Sequence, residues 1–223
     1  MTVAYVVLVR RYRPEPWRVA CFALAVLLLL AVAITPLETI ALHYLLSVHL
    51  LQNVVLAEWA PALVVVAIPP AFAATLPRVP LAPALLLWVV NYMAWHLPWA
   101  YDGALRHPHT LLHLEHALYF VTGVLLWWPV VHGRHSAGLK AAYLFAAFAL
   151  ASPIGLLLAL IPEPVYDFYV APPGDLWGLD PLLDQQIAGV TMALEQAVVF
   201  FAAFALYFAR FFAEEDAEEP ERA

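Results

Sequence analysis

The chain has 223 residues, of which 65% are hydrophobic and only 12% are charged. Soluble globular domains carry about twice that charged share, so an ordinary soluble fold is excluded. The formal net charge of −7 at pH 7 offers no basic patch for nucleic acid. The single cysteine, Cys21, excludes an internal disulfide and any CxxC redox or metal motif.

Long apolar segments recur along the whole chain. A bilayer core of about 30 Å needs about 20 apolar residues of helix to cross it. The sequence predicts helices over residues 17–36, 39–68, 81–100, 110–131, 138–161 and 184–212. The predicted fold class is therefore all-α, a polytopic transmembrane bundle of about six helices.

The segment before the first predicted helix is short and basic. Arg10, Arg11 and Arg13 precede an apolar run over residues 17–34 that is long enough to span. This favours a retained anchor over a cleaved signal peptide. Residues 1–9 are apolar but too short to cross a bilayer. They fit either the stub of a further helix or a chain whose true start lies upstream.

Prolines predict where several helices bend or end. The second segment is too long for one straight crossing, so we expect Pro61 to kink it and Pro69 with Pro70 to end it. Pro129 is expected to close the fourth helix. Pro153 is expected to interrupt the fifth, where neighbouring helices must satisfy the freed carbonyl group.

The distribution of basic residues predicts the orientation in the membrane. With the N-terminus in the cytoplasm, every lysine and arginine except Arg106 falls on the inner side. This bias follows the positive-inside rule and puts both termini in the cytoplasm. The loop over residues 162–183 carries acids and no base, so we expect it outside. The predicted organisation is a basic cytoplasmic segment (1–16), a transmembrane domain (17–212) and an acidic cytoplasmic tail (213–223).

Polar residues gather at the predicted outer ends of four helices. Polar groups inside a membrane are costly unless they find partners, and they tend to mark function. Imidazole is the commonest metal ligand and suits copper, zinc and iron. The convergence favours a metal site over the alternative, in which each histidine caps a helix, bonds a backbone carbonyl or lies at the wet interface. The residues at this level are His43, His49, His96, His113, His116, Asp184, Gln185 and Gln186.

The last predicted helix carries a stripe of distinctive residues below this level. Gln185, Gly189, Met192 and Gln196 recur at intervals of three or four residues, so they share one helix face. Gly189 would let another helix approach closely. Met192 could supply a soft sulfur ligand.

Two acids lie deeper in the predicted bundle. Glu58 and Glu195 must each be protonated, paired or beside water. Glu58 follows His49 by nine residues, which places them on opposite helix faces. Glu58 is therefore not expected to belong to the histidine group.

Common catalytic motifs are missing from the sequence. There is no P-loop, GxSxG, HExxH or dinucleotide-binding fingerprint. No Ser-His-Asp arrangement stands out. The sequence therefore gives poor support to a conventional hydrolase or transferase, and we expect a protein that is not an enzyme.

Four blocks of sequence carry a family resemblance. The blocks are His49-Leu-Leu-Gln-Asn53 with Ala60-Pro61 and Ile68-Pro69; Trp95-His96-Leu97-Pro98 with Tyr101-Asp102; His113-Leu-Glu115-His116 with Trp127-Trp128-Pro129; and Trp177-Gly178-Leu179 with Asp184-Gln185-Gln186, Ala188-Gly189 and Met192. Together they resemble the CtaG family, membrane assembly factors of caa-type cytochrome c oxidase, over residues 35–195. The family pattern has a second histidine in helix 2 where this chain has Asn53, and an apolar residue where Glu58 stands.

The resemblance implies a multi-pass protein of the bacterial cytoplasmic (inner) membrane that helps to form the copper B centre of the oxidase. The implied partners are cytochrome c oxidase subunit I or its assembly intermediates, and the implied metal is a copper ion. Because the chain has only 3 methionines, histidine would do most of the ligation. On this interpretation the predicted ligands are His49, His96 and His116, with His113 as an alternate. The predicted supporting residues, which would orient the imidazoles or hold the helices, are Asp102, Glu115, Asp184, Gln185, Asn53 and Met192.

Three other functions are also consistent with the sequence. A membrane redox protein could hold haem between His49 and His116 if these lie at matching depth on facing helices. A transporter or channel for copper or protons could use Glu58 and Glu195 as relay acids. A purely structural scaffold for oxidase subunits would require no metal.

Overall fold

The computed structural model describes residues 2–170 and 176–222, and side chains as far as residue 216. The described residues are helical, with no strand among them. Two π-helical turns occur, Val55–Trp59 between α4 and α5 and Pro108–Leu112 before α9, and a 3₁₀ turn, Asp167–Tyr169, lies before the last helix. The α-helices are α1 (Thr2–Tyr12), α2 (Pro16–Ile34), α3 (Pro36–His43), α4 (Leu46–Val54), α5 (Ala60–Ala67), α6 (Pro70–Ala73), α7 (Leu81–Trp95), α8 (Pro98–Arg106), α9 (His113–Val131), α10 (Ala137–Leu160) and α11 (Pro181–Arg222).

Membrane-crossing helices dominate this architecture. Among the described residues, five helices are long and apolar enough to cross a bilayer. The pair α7 and α8, bent by 75° at its break, makes a sixth when it counts as one crossing. Large apolar side chains such as Leu27, Leu87 and Leu160 are exposed on the outside of the bundle, as a lipid-facing surface requires. The predicted polytopic helical bundle is confirmed.

The long second segment breaks at Tyr44 and Leu45, between α3 and α4, and not at Pro61. Pro61 has no N–H to bond the carbonyl four residues earlier. The helix accommodates this by widening into the π turn Val55–Trp59, after which the N–H of Ala60 bonds the carbonyl of Val55. The expected kink at Pro61 is thus a local widening. The expected end before Pro69 and Pro70 is confirmed, since α5 stops at Ala67.

The fourth helix ends next to Pro129 as expected, since α9 stops two residues later at Val131, the predicted last residue. One proline prediction was wrong. Pro153 does not interrupt the fifth, because α10 runs unbroken to Leu160. A close neighbour supports α10 past its proline, since α11 packs along it.

Glycine residues allow this close packing of α10 and α11. A Cβ atom built on Gly189 would lie 2.4 Å from the backbone nitrogen of Ala159 and 2.5 Å from the carbonyl oxygen of Gly155. Real Cβ atoms do not approach backbone so closely. The close helix approach predicted for Gly189 is therefore confirmed.

The last helix begins earlier than predicted. Asp180 caps it, because its Oδ1 accepts the N–H groups of Leu182 and Leu183, both at 3.0 Å. Asp184 consequently lies one turn inside α11 instead of opening it. The helix also continues through the predicted tail to Arg222. Of the acidic outer loop, Asp175 lies outside the described residues.

Basic residues surround a cavity at the end of the bundle opposite His49. The cavity has a volume of about 670 Å³, and Arg18, Arg78 and Arg134 line it. Helix α1 packs at the same end, where the Tyr5 hydroxyl donates to the Ala67 carbonyl at 3.2 Å. The bundle thus has one basic end and one histidine-rich end, the asymmetry on which the predicted orientation rests.

Candidate functional site

The helix that carries His49 is held at its start by a side chain from another helix. Leu45, which precedes α4, supplies no capping side chain. Asp184 of α11 accepts hydrogen bonds from the backbone N–H groups of Leu46 at 2.6 Å and Ser47 at 3.2 Å, and from the Ser47 hydroxyl at 2.5 Å. The carboxylate satisfies free N–H groups and complements the positive end of the helix dipole. Asp184 therefore fixes the start of the helix close to His49.

The buried His49 ring is oriented by two tyrosines. Its Nδ1 lies 2.9 Å from the hydroxyl of Tyr169 and 3.1 Å from that of Tyr101. Tyr169 donates its own proton to the Ala41 carbonyl at 2.5 Å, so its oxygen accepts from the ring. Nδ1 of His49 therefore carries the hydrogen. Its Nε2 carries a lone pair and has no hydrogen-bond partner among the described residues.

His96 lies directly after α7, at the bend into α8, and has the same tautomer. Its Nδ1 lies 2.8 Å from the backbone carbonyl of Tyr92, which can only accept, so Nδ1 is protonated. The backbone carbonyl of His96 accepts from the Tyr166 hydroxyl at 3.1 Å. As in His49, the buried Nε2 has no partner in the part of the chain that the structure describes.

His116 brings a third unpartnered imidazole nitrogen to this end. Its ring centroid lies 6.1 Å from that of His49, with the ring planes 77° apart. Its Nε2 is buried and has no partner within the described ranges. His113, one turn earlier, is exposed, and its Nδ1 lies 2.5 Å from the Pro108 carbonyl. His43 is also exposed, at the end of α3.

The three histidines with a buried Nε2 are not gathered around one point. Within residues 2–170 and 176–222, no group of three or more His, Cys, Asp or Glu side chains is placed to hold a metal ion. His49 and His116 are neighbours, whereas His96 is connected to His49 through the Tyr101 ring, 5.2 Å from His49 and 6.3 Å from His96. Neutral imidazole nitrogens suit copper, so the donor chemistry fits. The arrangement is an adjacent pair with a third histidine beyond a tyrosine.

Asn53 and Glu115 join the helices that carry His49 and His116. The Asn53 side-chain amide donates to Oε1 of Glu115 at 3.3 Å, and both residues are buried. The second oxygen of Glu115 has no partner among the described residues. Asn53, at the position of the second family histidine, therefore has a structural contact between α4 and α9.

Asp102 and Gln185 hold the outer loop against the bundle. Oδ1 of Asp102 accepts the backbone N–H of Phe168 at 3.2 Å. Oε1 of Gln185 accepts the backbone N–H of Val165 at 2.6 Å. These bonds fix the loop segment that carries Tyr169, so both residues support the His49 environment from a distance.

The predicted stripe on α11 is buried along its length. Gln185, Met192 and Gln196 are 1%, 2% and 0% exposed. Met192 packs towards Gly155 of α10, since a Cβ on that glycine would lie 3.2 Å from the Met192 Cβ. The stripe thus forms the helix–helix contact that the spacing predicts.

Tyrosines that no sequence motif predicted surround the histidines. Tyr101 was visible beside Asp102 in a family-like block, but its contact with His49 was not predicted. Tyr166 and Tyr169 are 2% and 4% exposed although they lie in a loop. Two aromatic residues spaced by three in an otherwise acidic loop are a usable signal that the loop folds back over the bundle.

On the prediction that His49 binds a metal, replacing Tyr169 with phenylalanine is expected to weaken that binding about tenfold, because groups that orient a ligating histidine contribute on this scale. Burial raises the pKa of Tyr169 well above its usual value, so the phenol keeps its proton and its bond to Ala41 at neutral pH. Competitive copper titration of the purified protein measures the effect. Tyr207→Phe, which loses a hydroxyl bond to Val130 at the opposite end, is the matched control. Equal affinities for all three proteins would contradict the orienting role.

Comparison with known proteins adds the family. The chain matches the family model described as "Cytochrome c oxidase caa3 assembly factor (Caa3_CtaG)" over residues 3–214. No curated protein and no solved structure gives a match to the chain. The family match covers nearly the whole chain and confirms the resemblance seen in the sequence blocks. The chain therefore belongs to the CtaG family of caa3 cytochrome c oxidase assembly factors.

Proposed function

We propose that this protein supports maturation of the oxidase by passing copper to the forming copper B centre of subunit I. In this proposal it acts without catalysis, from the bacterial inner membrane, and binds subunit I or an assembly intermediate. One observation carries the proposal. His49, His96 and His116 each keep a buried Nε2 with no hydrogen-bond partner in the described part of the chain.

The state of these nitrogens supports a metal-binding role. Leaving a buried polar atom unpartnered costs about 1–3 kcal/mol, so three such atoms at one end of the bundle oppose stability. In His49 and His96 a hydrogen bond at Nδ1 sets the tautomer that leaves Nε2 free to bind a metal. Metal-ligating histidines are typically oriented in this way.

Because the three histidines do not surround one point, they would hold a metal ion with few ligands, as a transported ion requires. A metal held by few ligands is released more readily to a partner that offers more. His49 and His116 would supply the adjacent pair, with His96 as the third donor. His113 is exposed one turn from His116 and would meet an incoming ion first. By the predicted orientation this end faces outward, so copper would reach it without crossing the membrane.

The direct test is the copper content of the detergent-purified protein after reconstitution with Cu(I). The wild type is expected to retain copper. His116→Ala should bind copper at least ten times more weakly, because the pair of His49 and His116 is broken. Cells that carry His116→Ala should then contain oxidase with little activity. His43→Ala, an exposed histidine at the same end, is the matched control.

Two outcomes would contradict the proposal. One is a wild-type protein with no copper above background, together with normal oxidase activity in the His116→Ala strain. The other is a Soret band in the absorbance spectrum of the purified protein, which would favour the haem alternative between His49 and His116.

A further inference from the structure

Two acids from distant parts of the sequence meet inside the bundle. Glu58, on the π turn Val55–Trp59, is fully buried, and Glu195 of α11 is 9% exposed. Glu195 accepts from Trp59, the residue after Glu58. Glu58 in turn accepts from Gln196, the residue after Glu195, so the two carboxyl groups lie side by side. Glu58 is the thirteenth residue of the crossing Leu46–Ala67, about 18 Å from its outer end at 1.5 Å per residue. The pair therefore lies near mid-depth.

Each carboxyl group has a donor for one oxygen and none for the other. Oε1 of Glu58 accepts from the Gln196 amide at 3.1 Å, and Oε1 of Glu195 accepts from the Trp59 indole N–H. The same amide nitrogen also bonds the Tyr92 hydroxyl at 2.9 Å. Oε2 of both acids and Oε1 of Gln196 are buried, and have no partner among the described residues. All three atoms are acceptors unless one of the acids is protonated, so the group lacks a hydrogen-bond donor.

Within the described residues, no cation compensates this group of acceptors. The two ion pairs among the described residues, Glu15 with Arg18 and Asp102 with Arg106, lie elsewhere. The polar groups that face the acids are Tyr92 from α7, Trp59 from the π turn and Gln196 from α11. The helices α2 and α9 present apolar side chains and Gly123 to the π turn. Two ionised carboxylates here would repel each other without compensation.

We propose that Glu58 and Glu195 form a proton-binding site, in which one proton bridges the two carboxyl groups and exchanges with water. Binding adds H⁺ to one carboxylate oxygen, and the new O–H donates to the other carboxylate. Release reverses this step, with no electron transferred and no co-reactant. Intramembrane acids of this kind relay protons, and the site does not depend on the proposed copper role.

Infrared spectroscopy of the protein in lipid tests the site directly. The wild type is expected to show a protonated-carboxyl C=O band that shifts in D₂O and disappears, with loss of one proton per chain, as the pH is raised. Glu115 is another buried acid with an unpartnered oxygen, so the variants are made in a Glu115→Gln background. In that background Glu58→Gln and Glu195→Gln should each remove the whole of the remaining band, because the glutamine amide donates to the remaining carboxylate and replaces the shared proton. Glu163→Gln, which changes an exposed loop acid, should leave it intact.

Several results would overturn the proposal. A band that persists in both single variants places the proton elsewhere. A loss of half the band in each variant means that each acid holds its own proton. A wild-type band that neither titrates nor shifts in D₂O means a fixed structural acid, and this result needs no variant to fold. A band present in choline chloride and absent in sodium chloride at the same pH means that the ligand is a metal cation.

Discussion

Replacing Gly189 with alanine is expected to lower the free energy of unfolding by about 3 kcal/mol, at the upper end for overpacking a core. The added Cβ would lie 2.4 Å from the Ala159 nitrogen and 2.5 Å from the Gly155 oxygen. Both are backbone atoms, so no side chain can rotate away and α10 must move from α11. Equilibrium unfolding in mixed detergent and SDS micelles measures the loss.

Gly103→Ala is the matched control for this change. A Cβ on Gly103 meets nothing within 4 Å, and the residue lies in helix α8. Alanine favours a helix over glycine by about 1 kcal/mol, so this variant should be as stable as the wild type or slightly more stable. If Gly189→Ala were equally stable, the close contact between α10 and α11 would be refuted.

Replacing Asp184 with alanine is expected to destabilise the protein by about 3 kcal/mol, because hydrogen bonds to a charged group contribute about 1.5–3 kcal/mol each and two N–H groups lose their partner. On the proposed copper role the variant should also lower copper affinity, since α4 positions His49. Asp184→Asn keeps an acceptor oxygen but loses the charge at the helix start, so about half the effect is expected. Unfolding and copper titration on the same preparations give both values.

Asp180 caps the helix that it precedes, whereas Asp184 caps a different helix, α4. Comparing their alanine variants therefore separates the two effects. Asp180 caps α11 from its own chain neighbourhood and is exposed, so Asp180→Ala should cost about 1 kcal/mol and leave copper affinity unchanged. A loss of copper affinity in Asp180→Ala equal to that in Asp184→Ala would show a general loosening of the outer end instead of a specific effect on α4.

Local patterns predicted most of the bundle correctly. Hydropathy located the five single crossings, because each must be apolar over its own length. The helix predicted over residues 81–100 ends at Trp95 and bends by 75° into α8, which hydropathy did not predict. The prolines were less informative. Pro61, Pro129 and Pro153 remove an N–H, but whether a helix bends, widens or continues depends on what packs against it. A close neighbour, as α11 is for α10, cannot be read from the proline itself.

The depth of the candidate site in the membrane could be predicted from the sequence, but the contacts within the site could not. The depth of His49, His96 and His116 follows from their positions in the crossings. That His113 is exposed while His116 is half-buried, with its Nε2 inside the bundle, depends on how α9 is rotated. One turn of sequence spacing cannot reveal this rotation.

The sequence alone established the class of this protein, a multi-pass helical bundle with a basic end and a histidine-rich end. Hydrophobicity and charge act on each segment separately, so the order of residues along the chain is enough to predict these two features. The tertiary structure alone decided which polar groups meet: Asp184 with the start of α4, Tyr169 with His49, and Glu58 with Glu195. The two acids meet through the bonds of Trp59 to Glu195 and of Gln196 to Glu58. Each contact joins segments far apart in the chain, and it depends on how the helices are rotated and how the outer loop folds back, which no local pattern encodes.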